Sequence, residues 1–372
     1  MKILILNSVC GIRSTGRICT DLAKELESQG HIIKIAYGRN IVPEEYQKYA
    51  VRIGTQWDNK MSAIHTRITD QHGFANKKAT SEFLKWAEEF NPELLWLHNI
   101  HGYYINIELL FDWIKSRPQM RVKWTLHDCW AFTGHCSYFT AIKCERWKTH
   151  CHGCPQKQSY PSSYILDNSF SNFERKKAAF TGVRDLTLIT PSKWLENLVK
   201  SSFLKEYPIE VVHNTVDTSV FKPTISDFRK RFGLENKKII LGVASVWDNR
   251  KGLNDFLKLA EILDDRYAIV LVGLSDKQAK RLPKRIIGLR RSNSAKELAA
   301  IYTASDIFFN PTYEDNFPTV NLEAKACGLQ IITYDTGGSP ESAGESSIVI
   351  PAGDIETMVR ELKFLDTKEH SY

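Results

Sequence analysis

The chain reads as short apolar runs separated by polar stretches that glycine and proline punctuate. Residues 2–6, 32–36, 94–97, 122–126 and 186–189 are runs rich in aliphatic side chains. Runs of this kind suit parallel strands covered on both faces by helices. A different period appears between them. Ile18, Leu22 and Leu26 fall on one face of a helix predicted over 17–29, which Gly30 stops. The glycine-bounded residues 10–16 form the loop before it. A helix over about 192–201 follows the 186–189 run, which reads as the last strand of this half. The pattern then restarts, with strands predicted at 239–243, 268–272, 307–309 and 331–333 and helices over 253–263 and 295–303. Pro208, Asn214 and Pro223 mark residues 206–224 as the linker region. The predicted architecture is α/β: two doubly wound domains, 1–205 and 206–372, facing across a cleft.

The richest stretch is Tyr313-Glu-Asp-Asn-Phe-Pro-Thr-Val-Asn-Leu-Glu-Ala-Lys-Ala-Cys-Gly328. Pro318 suits the first turn of a helix, where a missing N–H costs nothing, and Gly328 suits the left-handed position just past its end. Amides around Asn316 to Val320 then point out of the helix start and favour an anion such as a phosphate. Glu323 lies about one and a half turns in, where a carboxylate can accept hydrogen bonds from a ribose diol. Asp315, in the loop, can reach a second hydroxylated group. Together these groups point to a sugar joined to a nucleotide through phosphate. The same residues also fit a helix with a solvated acidic start.

Composition bounds this reading without sharpening it. The chain has 372 residues, 42% hydrophobic and 25% charged, with a formal net charge of +7. That excess suits anionic small substrates or weak attraction to an acidic membrane surface, and it is too diffuse for a nucleic-acid-binding tail. No apolar stretch approaches the length of a membrane span. Residues 1–6 read as a first strand, since Asn7 and Arg13 interrupt any signal-peptide continuation. A cytoplasmic enzyme, in peripheral contact with the inner face of the membrane at most, is the expectation.

At this point a family is recognisable. The stretch from Glu314 to Glu341 resembles the donor signature of retaining family 4 glycosyltransferases (glycosyl transferases group 1), which have the GT-B fold of two Rossmann-like domains. Within that family it is most similar to enzymes of capsule, exopolysaccharide and lipopolysaccharide biosynthesis. Val212-His-Asn-Thr-Val-Asp217 with Phe221-Lys-Pro223 resembles the family's entry to its second domain, and Asn249-Arg-Lys-Gly252 its phosphate-binding turn. Thr125-Leu-His-Asp128 resembles the first-domain cleft motif, and Gly11 to Gly16 the glycine-rich first loop.

The resemblance implies transfer of a sugar from a nucleoside diphosphate donor to a hydroxyl of a saccharide or lipid-linked acceptor, with retention and without a catalytic metal. It implies that Glu323 binds the ribose and that Asp315 or Glu314 holds the donor sugar. Residues Asn316, Phe317, Pro318 and Thr319 approach sugar and phosphate, and Lys251 and Arg250 face the diphosphate. His127 faces the donor sugar, and Gly16 and Gly273 let backbone approach the donor. The family's second arginine slot holds Ser245 here, so Arg290 or Arg291 are further candidates for the diphosphate. Trp57, His65, Tyr103, Tyr104 and Trp113 lie where the family binds acceptors, and Lys176 and Lys177 read as a solvated helix face or an anion contact. The final helix, over 355–365, either returns to the first domain or is a shortened form.

The insertion 129–160 is a separate signal. It holds five of the eight cysteines, and Cys136, Cys144 and the pair in Cys151-His-Gly-Cys154-Pro have zinc-site spacing. His135, His150 and His152 are alternative ligands. A structural zinc is one reading; free thiols or a redox pair is the other. Three rival functions stay open: a nucleotide-sugar epimerase of the same architecture, a non-catalytic donor-fold scaffold, and a zinc-ribbon nucleic-acid binder.

Overall fold

Because aliphatic runs bury both faces of each strand, the strands stack side by side in parallel and the helices cover them. The computed structural model describes residues 1–290, 292 and 294–369. It divides into two units, Met1–Val212 and His213 onward.

In the first unit the strands are β1 (Lys2–Asn7), β2 (Ile32–Tyr37), β3 (Ala50–Arg52), β4 (Leu94–Leu97), β5 (Arg121–Thr125), β6 (Leu186–Thr190) and β7 (Ile209–Val211). They form one sheet in the order β3-β2-β1-β4-β5-β6-β7, with every pairing parallel. The strand order reverses between β1 and β4. The domain boundary therefore falls seven residues later than expected (212 − 205). The cause is β7: Leu188 pairs with Ile209 and Thr190 with Val211, so 186–189 is not the last strand and residues 209–211 of the expected linker belong to this sheet. The first helix starts at Arg13, which places Gly16 inside its first turn and not in the loop.

In the second unit the strands are β8 (Lys238–Val243), β9 (Tyr267–Val272), β10 (Ile286–Leu289), β11 (Ile307–Asn310), β12 (Gln330–Tyr334) and β13 (Ile348–Ile350). The order is β10-β9-β8-β11-β12-β13, again all parallel, with the reversal between β8 and β11. The loops that leave β8 and β11 thus flank the switch point, where an open α/β sheet leaves a crevice for ligand. Three edge strands, β3, β10 and β13, are only three or four residues long and were not among the expected strands.

The last helix, Ile355–Glu369, packs on its own unit. Met358 and Leu362 are fully buried in the core that contains Ile240, Phe256 and Phe309. Asp366 ties the helix to two strands, accepting from Tyr267 Oη and pairing with Lys238 Nζ at 2.7 Å. Among the described residues no helix is long and apolar enough to cross a membrane. Leu362→Ala removes a fully buried side chain and is expected to cost about 2–5 kcal/mol, read as a lowered urea midpoint. An unchanged midpoint would show that the helix does not belong to this core.

Candidate functional site

At the switch point of the second unit, backbone geometry brings two loops into contact. After β8, Asp248 caps the 3-10 turn Asn249–Lys251, its Oδ1 accepting from the Lys251 amide at 2.9 Å. The chain then reverses at Gly252 (φ +73°), where a Cβ would lie 2.2 Å from the Pro311 carbonyl oxygen of the loop after β11. The two loops are further joined by the Tyr313 amide donating to the Arg250 carbonyl at 2.8 Å and by Arg250 Nη1 donating to the Glu314 carbonyl at 2.7 Å. Lys251 Nζ forms an ion pair with Asp315 Oδ2, both side chains being about one-sixth exposed (17% and 16%). Burial works to raise the Asp315 pKa, but the charges of Lys251 and Arg250 outweigh it and hold the carboxyl below its usual range. Of the two acidic candidates, Asp315 therefore faces the cations, while Glu314 is buried at 2% exposure.

The loop after β12 closes the third side. Gly337 (φ +58°) passes so close that a Cβ would meet the Asp315 carbonyl oxygen at 2.0 Å, and the Gly338 amide donates to that same carbonyl at 3.0 Å. Gly273 ends β9 against the Ala244 carbonyl.

The helix Thr319–Ala326 starts one residue later than expected, so Pro318 is its cap and not its first residue. It ends as expected: Gly328 (φ +87°) follows the cap, and the Leu329 and Gly328 amides donate to the Ala324 and Lys325 carbonyls. The amide of Asn316, expected to face an anion, instead donates to Asp315 Oδ1 at 2.9 Å. Phe317 is buried and stacks on His213, with centroids 4.8 Å apart. Glu323 is 5% exposed, and its Oε2 accepts from Tyr302 Oη at 3.0 Å.

A buried polar network fixes that helix, and sequence reasoning missed it. Asn310 at the end of β11 donates to Asn321 Oδ1 at 2.8 Å; Asn321 Nδ2 donates to Ser342 Oγ at 2.8 Å and to the Ser339 carbonyl at 3.1 Å. Thr333 at the end of β12 joins Ser339 Oγ at 2.7 Å. The signal was present, since each of these residues is the first polar side chain after a buried run or lies on the buried face of a short helix.

Of the cation candidates, Ser245 is exposed, Arg290 pairs with Asp276 in an exposed contact of 2.8 Å, and Arg291 lies outside the described residues.

The first unit has its own polar cluster at the strand ends. His127, after β5, lies with Nε2 2.9 Å from His98 Nδ1, which follows β4. Asp128 Oδ2 is 3.0 Å from His101 Nε2, and His101 Nδ1 is 3.2 Å from Tyr160 Oη. Burial lowers the His127 pKa to about 4, opposed by Asp128 and helped by His101; burial also drives His98 and His72 well below the usual range. The three imidazoles are neutral. His98 could have been found as His127 was, since it directly follows a strand. A Cβ at Gly16 would lie 3.0 Å from Val9 Cγ2, and the Gly16 carbonyl accepts from the Gly11 amide at 3.1 Å.

Of the two lysines expected on a solvated face, Lys177 is exposed and Lys176 is not. Lys176 is 1% exposed, donating to the Trp130 and Thr133 carbonyls at 2.8 and 3.0 Å with its ammonium 3.5 Å from the Trp130 ring. Burial pulls its pKa down to about 7. In the insertion around it, Phe132, Phe139 and Trp147 pack at ring distances of 4.8–6.2 Å and join the unit's main core. Cys136, Cys144, Cys151 and Cys154 line one cavity there.

Residues 224–371 match the family described as Glycosyl transferases group 1. The match covers most of the second unit. The chain is 22% identical to the putative colanic acid biosynthesis glycosyl transferase WcaC of Escherichia coli K12, over 67% of this chain and 62% of the relative. It is 28% identical to the processive diacylglycerol alpha-glucosyltransferase of Acholeplasma laidlawii, over 50% of this chain and 58% of the relative. The chain thus spans about three-fifths of the length of these two relatives. Among solved structures, Anabaena HepE in complex with UDP-glucose aligns with a TM-score of 0.65 at 14% identity, covering 99% of this chain and 91% of that one. The two doubly wound units of this chain have the GT-B fold.

The neutral imidazoles make stability depend on pH. Unfolded histidines take up protons below about 6.5, whereas native His127 resists until about 4, so the unfolded state binds more protons in that window. The contribution is whole above 6.5 and is lost as pH falls toward 4. The urea midpoint is expected to drop across this window, with a shallower slope in a His98→Gln/His127→Gln double variant. Equal slopes in the two proteins would contradict the burial argument.

Proposed function

We propose that the protein is a retaining glycosyltransferase that moves a sugar from a nucleoside diphosphate donor to a hydroxyl of a saccharide or lipid-linked acceptor in surface polysaccharide synthesis. The observation that carries this reading is the Lys251–Asp315 ion pair at the switch point, with Arg250 anchored beside it on the Glu314 carbonyl. In this reading the diphosphate takes over Lys251 as its counter-charge, and Asp315, released from the lysine, accepts from a hydroxyl of the donor sugar. Tyr302 occupies part of Glu323 Oε2 and orients the carboxylate for the ribose diol. Lys251, Arg250 and the start of the helix Thr319–Ala326 offset charge as the diphosphate leaves. The leaving phosphate helps deprotonate the acceptor, and His127 assists as a neutral hydrogen-bonding group. No catalytic metal is invoked. The UDP-glucose bound to HepE fits the donor class, and the α product in the Acholeplasma relative's name is what retention from an α-linked donor gives.

The test uses the full chain with a panel of nucleoside diphosphates and their sugars. A matching donor at a hundred times its Kd should stabilise the fold by about 2.7 kcal/mol, seen as a raised Tm. Glu323→Ala and Lys251→Ala should abolish both the shift and glycosyl transfer, and the product anomer should match the donor anomer. Full transfer by both variants would refute the donor site. Donor epimerised without an acceptor would favour the epimerase, and binding without turnover would favour the scaffold.

The acceptor side of the proposal draws on the helix Gln56–Thr69, which is amphipathic in reverse. It buries Ser62 and Thr66 and exposes Trp57, Met61, Ile64 and Ile68, each between 44% and 69% accessible. Tyr164, Ile165 and Leu166, also exposed, extend the patch, because the Tyr164 and Leu166 amides donate to the Arg67 and Ile68 carbonyls. Lys60 and Arg67 flank it, and Asp58 is engaged in the helix cap. An apolar face with a tryptophan and basic flanks fits the surface of an anionic bilayer better than an uncharged one. Flotation with phosphatidylglycerol vesicles should capture the protein, with weaker capture on phosphatidylcholine. Lys60→Ala and Arg67→Ala should each cost about 1 kcal/mol, roughly fivefold in partitioning. Equal flotation by a Trp57→Ser/Met61→Ser variant would exclude this face.

A further inference from the structure

The cysteine cavity lies apart from the strand-end residues assigned above, and its construction points to a ligand. Cys136, Cys144, Cys151 and Cys154 come from three segments of the insertion and line a cavity of about 20 Å³, room for one water-sized particle. His135 lines it too. Asp70, fully buried, holds His135 Nδ1, while Nε2 is buried and has no hydrogen-bond partner. That carboxylate–histidine contact is the kind that orients an imidazole next to a metal.

The sulfurs are held as metal-bound sulfurs are. The Gly134 amide donates to Cys151 Sγ and the Gln156 amide to Cys154 Sγ. Gly134 leaves no room for a side chain, since a Cβ would lie 2.0 Å from the Ser169 carbonyl oxygen and 2.8 Å from Cys151 Cβ. The turn between Cys151 and Cys154 is fixed on both sides: Arg146 Nη1 donates to the His152 carbonyl at 2.7 Å, and the Cys154 amide donates to Asp167 Oδ2 at 2.6 Å. The fully buried Lys176 ammonium faces Cys136 and Cys151 and would offset an anionic centre.

We propose that this cavity is a structural zinc site, with the thiolates of Cys136, Cys144, Cys151 and Cys154 as ligands and His135, as the imidazolium paired with Asp70, donating from Nε2 to a coordinated sulfur. Among the described residues, no three His, Cys, Asp or Glu side chains already stand as a ligand set; Cys136 and Cys154 are instead hydrogen-bonded to each other. Binding would therefore draw the sulfurs in to about 2.3 Å from the ion. Each thiol gives up its proton to solvent as its sulfur lone pair binds Zn²⁺, so the four thiols release four protons and the centre carries a net charge of about −2. No oxidant or reductant is involved. The ion joins the two ends of a segment with few regular elements, which explains four cysteines in a chain where no cysteine is disulfide-bonded.

The test uses the full chain, expressed with added zinc and purified without chelator. Elemental analysis should give one zinc per chain. In intact-mass alkylation, the four thiols should be protected until a chelator is added, and then become reactive together. Cobalt-substituted protein should show the intense visible absorption of a tetrahedral thiolate centre. Cys151→Ser/Cys154→Ser should lose the metal; if that variant does not fold, the alkylation and cobalt results on the unmodified chain decide alone. Absence of stoichiometric metal, or a Cys136–Cys154 disulfide in the protein as purified, would overturn the proposal.

Discussion

Parallel strands buried on both faces leave no place for polar chemistry except their ends, and this constraint arranges everything else. Phe308, Phe309 and Ile332 are inaccessible to water. The first polar side chains beyond them, Asn310 and Thr333, must find partners in a dry environment, because an unpaired buried polar group costs about 1–3 kcal/mol. They find them in Asn321 and Ser339, which belong to the two helices that follow. The network that satisfies the strand ends is thus what places the helix Thr319–Ala326, and with it Glu323, over the switch point. Packing and site geometry are one requirement met by the same residues.

The two units handle buried charge in opposite ways. In the second, Lys251 and Asp315 keep their charges by pairing, with Arg250 adding to the field at the carboxylate. In the first, the histidines at the strand ends are desolvated and surrendered as neutral groups. The difference follows from the partners available: His98 and His127 meet each other, and a second imidazole gives no charge compensation. Paired charges can be exchanged for a charged ligand, whereas neutral imidazoles can only donate or accept hydrogen bonds. That asymmetry suits a diphosphate in the second unit and an uncharged sugar or hydroxyl beside the first unit's histidines.

Much of the fold was legible in the sequence because its central strands are dense in aliphatic residues. Strands β1, β2, β4, β5, β8, β9, β11 and β12 each fall within a residue or so of the expected limits. The edge strands were not, since β7, with Glu210 at its centre, is only partly covered and shows no apolar run. The backbone of the candidate site was legible where a residue type is conformationally restrictive, as at Gly328 just past a helix and Gly252 at the turn after Lys251. It was illegible where the partner decides. Nothing in the sequence says that the Asn316 amide turns to Asp315, that Lys176 lies inside the protein, or that Asn321 is a hub, because each depends on which loop passes nearby.

In the proposed donor site, the pairing also decides how a diphosphate's charge would be met. Ser245 stands in the slot where the family usually has an arginine, and Arg290 is committed to Asp276 near the solvent. Arg250 is different: it is anchored to the Glu314 carbonyl, an acceptor without formal charge, so the bond fixes the guanidinium without itself cancelling its charge. That bond also explains why two adjacent acidic residues have different surroundings. The Glu314 backbone is the anchor and its side chain is buried, whereas Asp315 meets the lysine. The missing arginine is thus compensated not by another residue in the same place but by a neighbour of Lys251, held by the very loop that carries the acidic signature.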